Sequence, residues 1–228
     1  MKAMILILIM SLYAFANIGT VMALKGKATL KRGTNIVLKV GMSIKQGDKI
    51  TTKRQSRIQV MLKDDSVITI GSNSSFHFRE FKFKNRSSKV NFKANKGFFR
   101  VVTGKIGKLA PDRFRIKTTT AIIGIRGTDF SGNITRGKEV IRCYSGSIWV
   151  KLNSGVIKNL DSGMLLEITN KSSKVKNAIT GASINQEITD KIDISDVTSD
   201  ITKPADIDKD IHQDIPTQPD YYDDYKNY

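Results

Sequence analysis

The chain has 228 residues, with 38 Lys and Arg against 21 Asp and Glu and a formal net charge of +17. That length is enough for one domain with a real hydrophobic core plus extensions. A single cysteine, Cys143, excludes an internal disulfide. Two histidines, His77 and His212, cannot assemble a metal-ligand set or a Ser-His-Asp triad, and no phosphate loop is present. No cofactor, metal or catalytic residue is therefore expected.

Taken in order, Met1 to Ala16 reads as a secretory signal: a cation at Lys2, an apolar run from Ala3 to Leu12, and small residues at Ala14 and Ala16. Cleavage after Ala16 is preferred over the later Val21-Met22-Ala23 site, because Ile18 onward already has domain character. An uncleaved anchor over residues 4–24 is the alternative, since that stretch is long enough for a bilayer core of about 30 Å.

Charge is uneven along the chain. From Glu187 onward there are 12 acids and only 4 cations, which leaves 34 cations against 9 acids before it. The body is thus +25 and the tail −8. In an exported, periplasmic protein the anions available to such a body are lipid head groups, envelope polysaccharide and acidic proteins rather than nucleic acid.

From Ile18 to Thr169 the pattern is of short strands with period-two alternation, punctuated by glycine. Lys27–Lys31 and Asn35–Lys39 flank a hairpin turn at Arg32-Gly33-Thr34. Met42 to Lys45, bracketed by Gly41 and Gly47-Asp48, leads to Ile50-Thr51-Thr52. Ile58, Val60 and Leu62 share one face, and after the Asp64-Asp65-Ser66 turn Ile68 and Ile70 resume it. Phe76, Phe78, Phe81 and Phe83 interleave with His77, Arg79, Lys82 and Lys84; in an exported protein this reads as an amphipathic strand rather than a nucleic-acid platform. Val90, Phe92 and Ala94 form a further face, broken by Gly97 and resumed by Phe98–Thr103. Gly104 to Asp112 reads as a mobile crossover loop.

The stretch Thr118 to Phe130 organises the rest. Gly124 and Gly127 interrupt an apolar run, so the chain is expected to turn a tight, buried corner there. A buried Arg126 would need an acceptor such as Asp129, and its loss would cost roughly 3 kcal/mol or more. Strands follow at Thr128–Ile134, Glu139–Tyr144 and Ser147–Leu152, the last two separated by Ser145-Gly146. Trp149 lies on the less apolar face of its strand and is the candidate partner contact. Many short strands joined by glycine turns argue for an all-β domain over residues 17–170, a sandwich, a barrel or a twisted solenoid. Residues 171–228, with recurring Asp-Ile and interspersed prolines, read as a disordered acidic tail. Gln186 to Tyr228 is expected to lie transiently over the basic face.

These segments, in this order, resemble the FecR domain family, the extracytoplasmic part of iron-dicitrate-type transmembrane regulators. The resemblance rests on Gly26-Lys27-Ala28 with Gly33; Gly41 through Gly47-Asp48-Lys49-Ile50-Thr51-Thr52; Asp65-Ser66 with Ile68 and Ile70; Phe114 to Thr118; and Ile125-Arg126-Gly127-Thr128-Asp129-Phe130. Thr119-Thr120-Ala121 stands where the family usually has a proline. It implies an all-β domain that acts by protein contact, with Gly47, Asp48, Thr51, Thr118, Arg126, Gly127, Thr128 and Phe130 as structural motif residues. With only Lys2 ahead of the apolar segment, a stand-alone exported domain is expected rather than a complete sigma regulator. The first function reading is a non-catalytic binding or scaffold domain for an envelope protein or an anionic envelope polymer. The second is a membrane-anchored sensory component working with a separate cytoplasmic, anti-sigma-type partner. An enzyme acting on envelope polysaccharide ranks last, because it needs a carboxylate pair and few acids precede the tail.

Overall fold

A computed structural model describes residues 17–178, all within the first of two compact units, Met1–Gln186 and Glu187–Tyr228. The expected signal segment, and the tail from residue 179 on, lie outside the described residues.

Fifteen strands occur in chain order. They are β1 (Asn17–Lys25), β2 (Ala28–Arg32), β3 (Thr34–Val37), β4 (Ser43–Lys45), β5 (Lys49–Thr52), β6 (Arg57–Leu62), β7 (Val67–Ile70) and β8 (Ser75–Lys82). Then come β9 (Lys89–Val102), the short helix α1 (Lys105–Leu109), β10 (Phe114–Lys117), β11 (Ala121–Thr135), β12 (Lys138–Leu152), β13 (Ile157–Asp161), β14 (Met164–Thr169) and β15 (Ser173–Asn177). All belong to one mixed sheet, in which only β9 and β10 pair in parallel.

Three of these strands are too long for one layer. The first half of β9 pairs with β8 and β10, and its second half with β7 and β11. β11 and β12 pair with each other along both halves, around an irregularity between Arg126 and Phe130. The sheet therefore folds back on itself. One layer runs β3-β2-β5-β8-β9-β10-β11-β12-β13 and the other β4-β1-β6-β7-β9-β11-β12-β14-β15. Corner-turning strands shared by two layers are a known solution for closing a β core.

Alternation then places one apolar face of each layer inside. Phe76, Phe78, Phe92 and Phe114 from the first layer meet Phe99 and Phe130 from the second, with ring centroids 5.8 Å apart at Phe76–Phe99 and 6.2 Å at Phe99–Phe130. Such tilted and edge-on pairs add about 0.5–1.5 kcal/mol each beyond area burial. Phe83, grouped with these by sequence, is 38% exposed, because the strand ends at Lys82.

The corner is built from glycines on facing strands. Gly127 (φ +60°) and Gly146 (φ +73°) occupy the left-handed region, and a Cβ on Gly146 would lie 2.0 Å from the Gly127 carbonyl oxygen. Ser145-Gly146 thus does not separate two strands as expected; β12 passes through it as one bent strand. Gly124 is not the corner either. It stays in register opposite Trp149 and Arg115, and its missing Cβ makes room for the indole. Thr103 fastens the corner to β9: its Oγ accepts from the Thr128 amide at 2.9 Å, and its own amide donates to the Thr128 carbonyl at 3.0 Å.

Gly104 to Asp112 is a pinned element rather than a mobile loop. The Asp64 carboxylate accepts from the Ile106 amide and the Asp64 carbonyl from the Lys105 amide, while Ser66 Oγ accepts from the Gly104 amide. With Ile106 buried, these bonds hold α1 and the following 3-10 turn, Pro111–Arg113, in place. At the far end the sheet continues past residue 170 into β15, which pairs with β14. Residues 17–24 of the expected anchor stretch form β1, hydrogen-bonded to β4 and β6.

Cys143 is fully buried beside the corner, its Sγ 3.4 Å from the Gly146 carbonyl, and burial pushes its thiol pKa up to about 11. At pH 8 the thiol is therefore protonated and shielded. A thiol reagent is expected to label it only as denaturant opens the fold; fast labelling of the native protein contradicts this.

Gly146→Ala is expected to destabilise the fold well beyond the 1–2 kcal/mol of left-handed backbone strain alone, because the new methyl meets backbone. Gly155→Ala, with φ +91° but open space around it, should show the backbone term only. Urea unfolding of the two variants decides; equal losses would mean that the corner tolerates a side chain.

Candidate functional site

The motif residues read from the sequence do not converge on one site. Gly47 (φ +88°) and Asp48 form a turn in which Asp48, 1% exposed, takes a two-pronged contact from Arg32 at 2.8 and 2.5 Å and accepts from the Lys45 amide at 2.7 Å. Thr51 is exposed on β5. Thr118 is buried and closes the turn before β11 by exchanging bonds with Ala121. Gly127 and Thr128 belong to the corner, and Phe130 to the aromatic core.

Arg126 reverses the expectation. It is exposed, and its guanidinium has no hydrogen-bond or ion-pair partner among the described residues. Asp129 pairs instead with Arg100 at 2.6 Å, and Arg100 packs over Tyr144 at 4.6 Å. The arginine clamp on a buried carboxylate is Arg32–Asp48, some 80 residues before the motif that pointed to one.

Most of the nine acids before the tail are committed elsewhere. Asp64 holds α1, Asp65 pairs with Lys105, Glu80 with Lys89, and Glu167 with both Lys138 and Lys176. Glu139 is buried and fixed by Thr119 Oγ1 and the Thr120 amide, which ties the loop before β11 to the far half of β12.

What the register does bring together is cations. Lys31 on β2 stands opposite Lys49 on β5, Lys49 opposite His77 on β8, His77 opposite Lys93 on β9, and Lys93 opposite Lys117 on β10. Ile122 on β11 and Lys151 on β12 complete the row. All lie on the outer face of the first layer, and none is buried. Strand spacing of about 4.8 Å makes the row about 29 Å long. No carboxylate stands on it. Like charges directly opposite one another destabilise a sheet, so packing alone does not account for this arrangement.

His77 reports the field. Its pKa is lowered, first by partial burial and then by Arg79, with Lys49 and Lys93 adding to the effect against a favourable Gly47 backbone contact.

Beside the row, Arg79, Asn91, Arg115, Lys117, Ile122, Trp149 and Lys151 line a groove of about 470 Å³. Trp149, half-buried, leans across Gly124, and the Arg115 guanidinium sits 4.5 Å from the centre of its ring. Among the described residues Arg115 has no carboxylate partner, and it donates one bond to the Phe114 carbonyl at 3.0 Å; burial lowers its pKa, opposed only by a through-space pull from Asp112. Sequence alternation had singled out Trp149. It could not find the row, because Lys31, Lys49, Lys93, Lys117 and Lys151 are scattered over 120 residues and only strand order aligns them.

Residues 48–149 match the family model described as FecR protein. Among solved structures, two crystal structures of a candidate anti-sigma factor from Parabacteroides distasonis ATCC 8503 are similar at 15% and 14% identity, each with a TM-score of 0.49. Each alignment covers 57% of this chain and 59% of that one. A structure described as a cell surface anchoring domain is 27% identical over 26% of this chain and 82% of its own, with a TM-score of 0.26. No curated protein matches.

Arg126→Ala is accordingly expected to melt like the parent, within about 0.5 kcal/mol, as exposed substitutions do. Asp48→Ala should cost about 2–3 kcal/mol, below the 3–5 of a fully buried pair because Arg32 is 29% exposed. Thermal unfolding of both variants checks the reversal; a large loss at Arg126 with none at Asp48 would restore the original expectation.

Proposed function

We propose that this chain is an exported, non-catalytic binding or scaffold domain of the FecR type, which recognises an envelope protein or an anionic envelope polymer. The observation that carries the reading is the cation row on the first layer: aligned by register, free of carboxylates, and bordered by a groove with an aromatic wall. The FecR match over residues 48–149 supports a domain that works by contact rather than by chemistry. Cleavage after Ala16 belongs to this reading. The mass of the mature protein tests that step, and retention of residues 1–16 in a membrane fraction would favour the anchored sensory reading instead.

The test of the row is a charge reversal with a matched control. Lys93→Glu with Lys117→Glu, and Lys53→Glu with Lys63→Glu, change net charge equally, and all four parent lysines lie outside the core. The first pair should elute from an anionic matrix at clearly lower salt than the second. Equal elution would leave only diffuse net charge, and the row would have no binding role.

A pH dependence follows from His77. Its pKa lies below the ordinary 6.5, so it is neutral at pH 7. An anion on the row would favour the charged ring and raise that pKa, so binding takes up a proton and tightens as pH falls below about 6.5. His77→Gln should flatten that part of the profile. An unchanged slope would place the titrating group elsewhere.

A further inference from the structure

The row and groove also bear on which anion is recognised, an inference that rests on the binding reading above. A protein interface of any strength has an apolar, desolvated centre. Here the apolar contributions are confined to Ile122 and Trp149, within a field of cations. A bilayer surface is flat, whereas Arg115, Trp149 and Lys151 face a concave groove into which a single extended chain can settle. The cations recur at nearly every strand over about 29 Å, which suits a linear ligand carrying charge at regular intervals and lying across the strands.

The groove adds chemistry to that geometry. Arg115 has no acidic partner among the described residues, and it is half-buried against Trp149. A guanidinium fork matches a planar carboxylate in two-pronged fashion, where an ammonium offers only a point charge. The half-exposed indole, with Arg115 over part of its ring, adds an apolar surface of the kind that sugar C–H groups pack against. Asn91, which stands opposite Arg115 in the register, supplies a neutral amide able to donate to and accept from hydroxyls. Cation, aromatic plane and amide side by side fit an acidic sugar better than an acidic peptide, which needs only the charge.

We propose that the outer face of the first layer is a binding site for a carboxylate-bearing polysaccharide that crosses the strands along the cation row, with Arg115 holding a carboxylate and Trp149 the adjoining sugar ring.

The chain contains a single tryptophan, so tryptophan emission, excited selectively over the six tyrosines, reports on this groove. Full-length protein is titrated with polygalacturonate, polyglutamate of similar charge, neutral dextran, and vesicles containing phosphatidylglycerol. Polygalacturonate should change Trp149 emission in a saturable, salt-sensitive way, and dextran should not. Polyglutamate and vesicles should bind more weakly. Arg115→Gln should weaken polygalacturonate about tenfold or more, the scale of a charge-assisted hydrogen bond. Arg115→Lys should recover little of the loss, since it restores charge without the fork. Lys174→Gln, away from the groove, should change little. Circular dichroism and melting of each variant confirm folding, and Trp149→Phe, read by calorimetry, provides a second test should Arg115 variants not fold.

Equal affinity for polyglutamate would overturn the sugar assignment, and equal affinity for vesicles the polymer assignment. Binding without an emission change, or undiminished in Arg115→Gln, would overturn the site while leaving an anion-binding domain. Failure to bind any anion would remove the broader reading as well.

Discussion

The structure depends on three strands that turn a corner without losing their partners. A sheet of this length cannot stay flat and also bury an apolar face, since half of each strand would have nothing to pack against. Bending β9, β11 and β12 lets one continuous hydrogen-bond network form two layers that cover each other. The bend is steric in origin. Gly127 and Gly146 adopt backbone angles disfavoured for other residues, and a Cβ on Gly146 would also meet the Gly127 carbonyl oxygen. Thr103 then supplies the bonds that a bent ladder would leave unmade.

The buried carboxylates at two turns follow the same logic of satisfied groups. Asp48 and Asp64 are buried, yet each serves several partners: Asp48 the Arg32 guanidinium and the Lys45 amide, Asp64 the Ser66 hydroxyl and the Ile106 amide. A carboxylate in an apolar setting is tolerable only under such conditions. These residues fix turns and crossovers, and so they are withdrawn from any chemistry with a ligand. The outer face of the first layer is the opposite case. Its cations are aligned against their mutual repulsion and lack acidic partners among the described residues, which gives up a little stability.

Much of this was legible in the sequence because it is local. Period-two alternation identifies Ile58, Val60 and Leu62, then Ile68 and Ile70, then Val90, Phe92 and Ala94 as inward-facing, and all are buried. Turn chemistry identifies Asp64-Asp65-Ser66, where Asp65 takes φ +64°, and the Arg32-Gly33-Thr34 hairpin. Trp149 could be placed on the outer face from its neighbours alone. Where local signals compete, the sequence misleads. Gly104 to Asp112 has the glycines and proline of a loop, but Asp64, forty residues earlier, holds it as a helix.

The sequence by itself determined the all-β class, the inward faces, the existence of a corner near Gly127 and the concentration of positive charge before residue 187. Each depends only on residue type and spacing along the chain. Tertiary structure decided which arginine meets a buried carboxylate, which glycine bends and which lysines are neighbours. Arg126 and Arg32 look alike in sequence, but only Arg32 lies beside a buried carboxylate once β2, β4 and β5 are assembled. The cation row exists only through strand order and register, because a pleated sheet places residues far apart in sequence about 4.8 Å from one another, and no pattern along the chain encodes that neighbourhood.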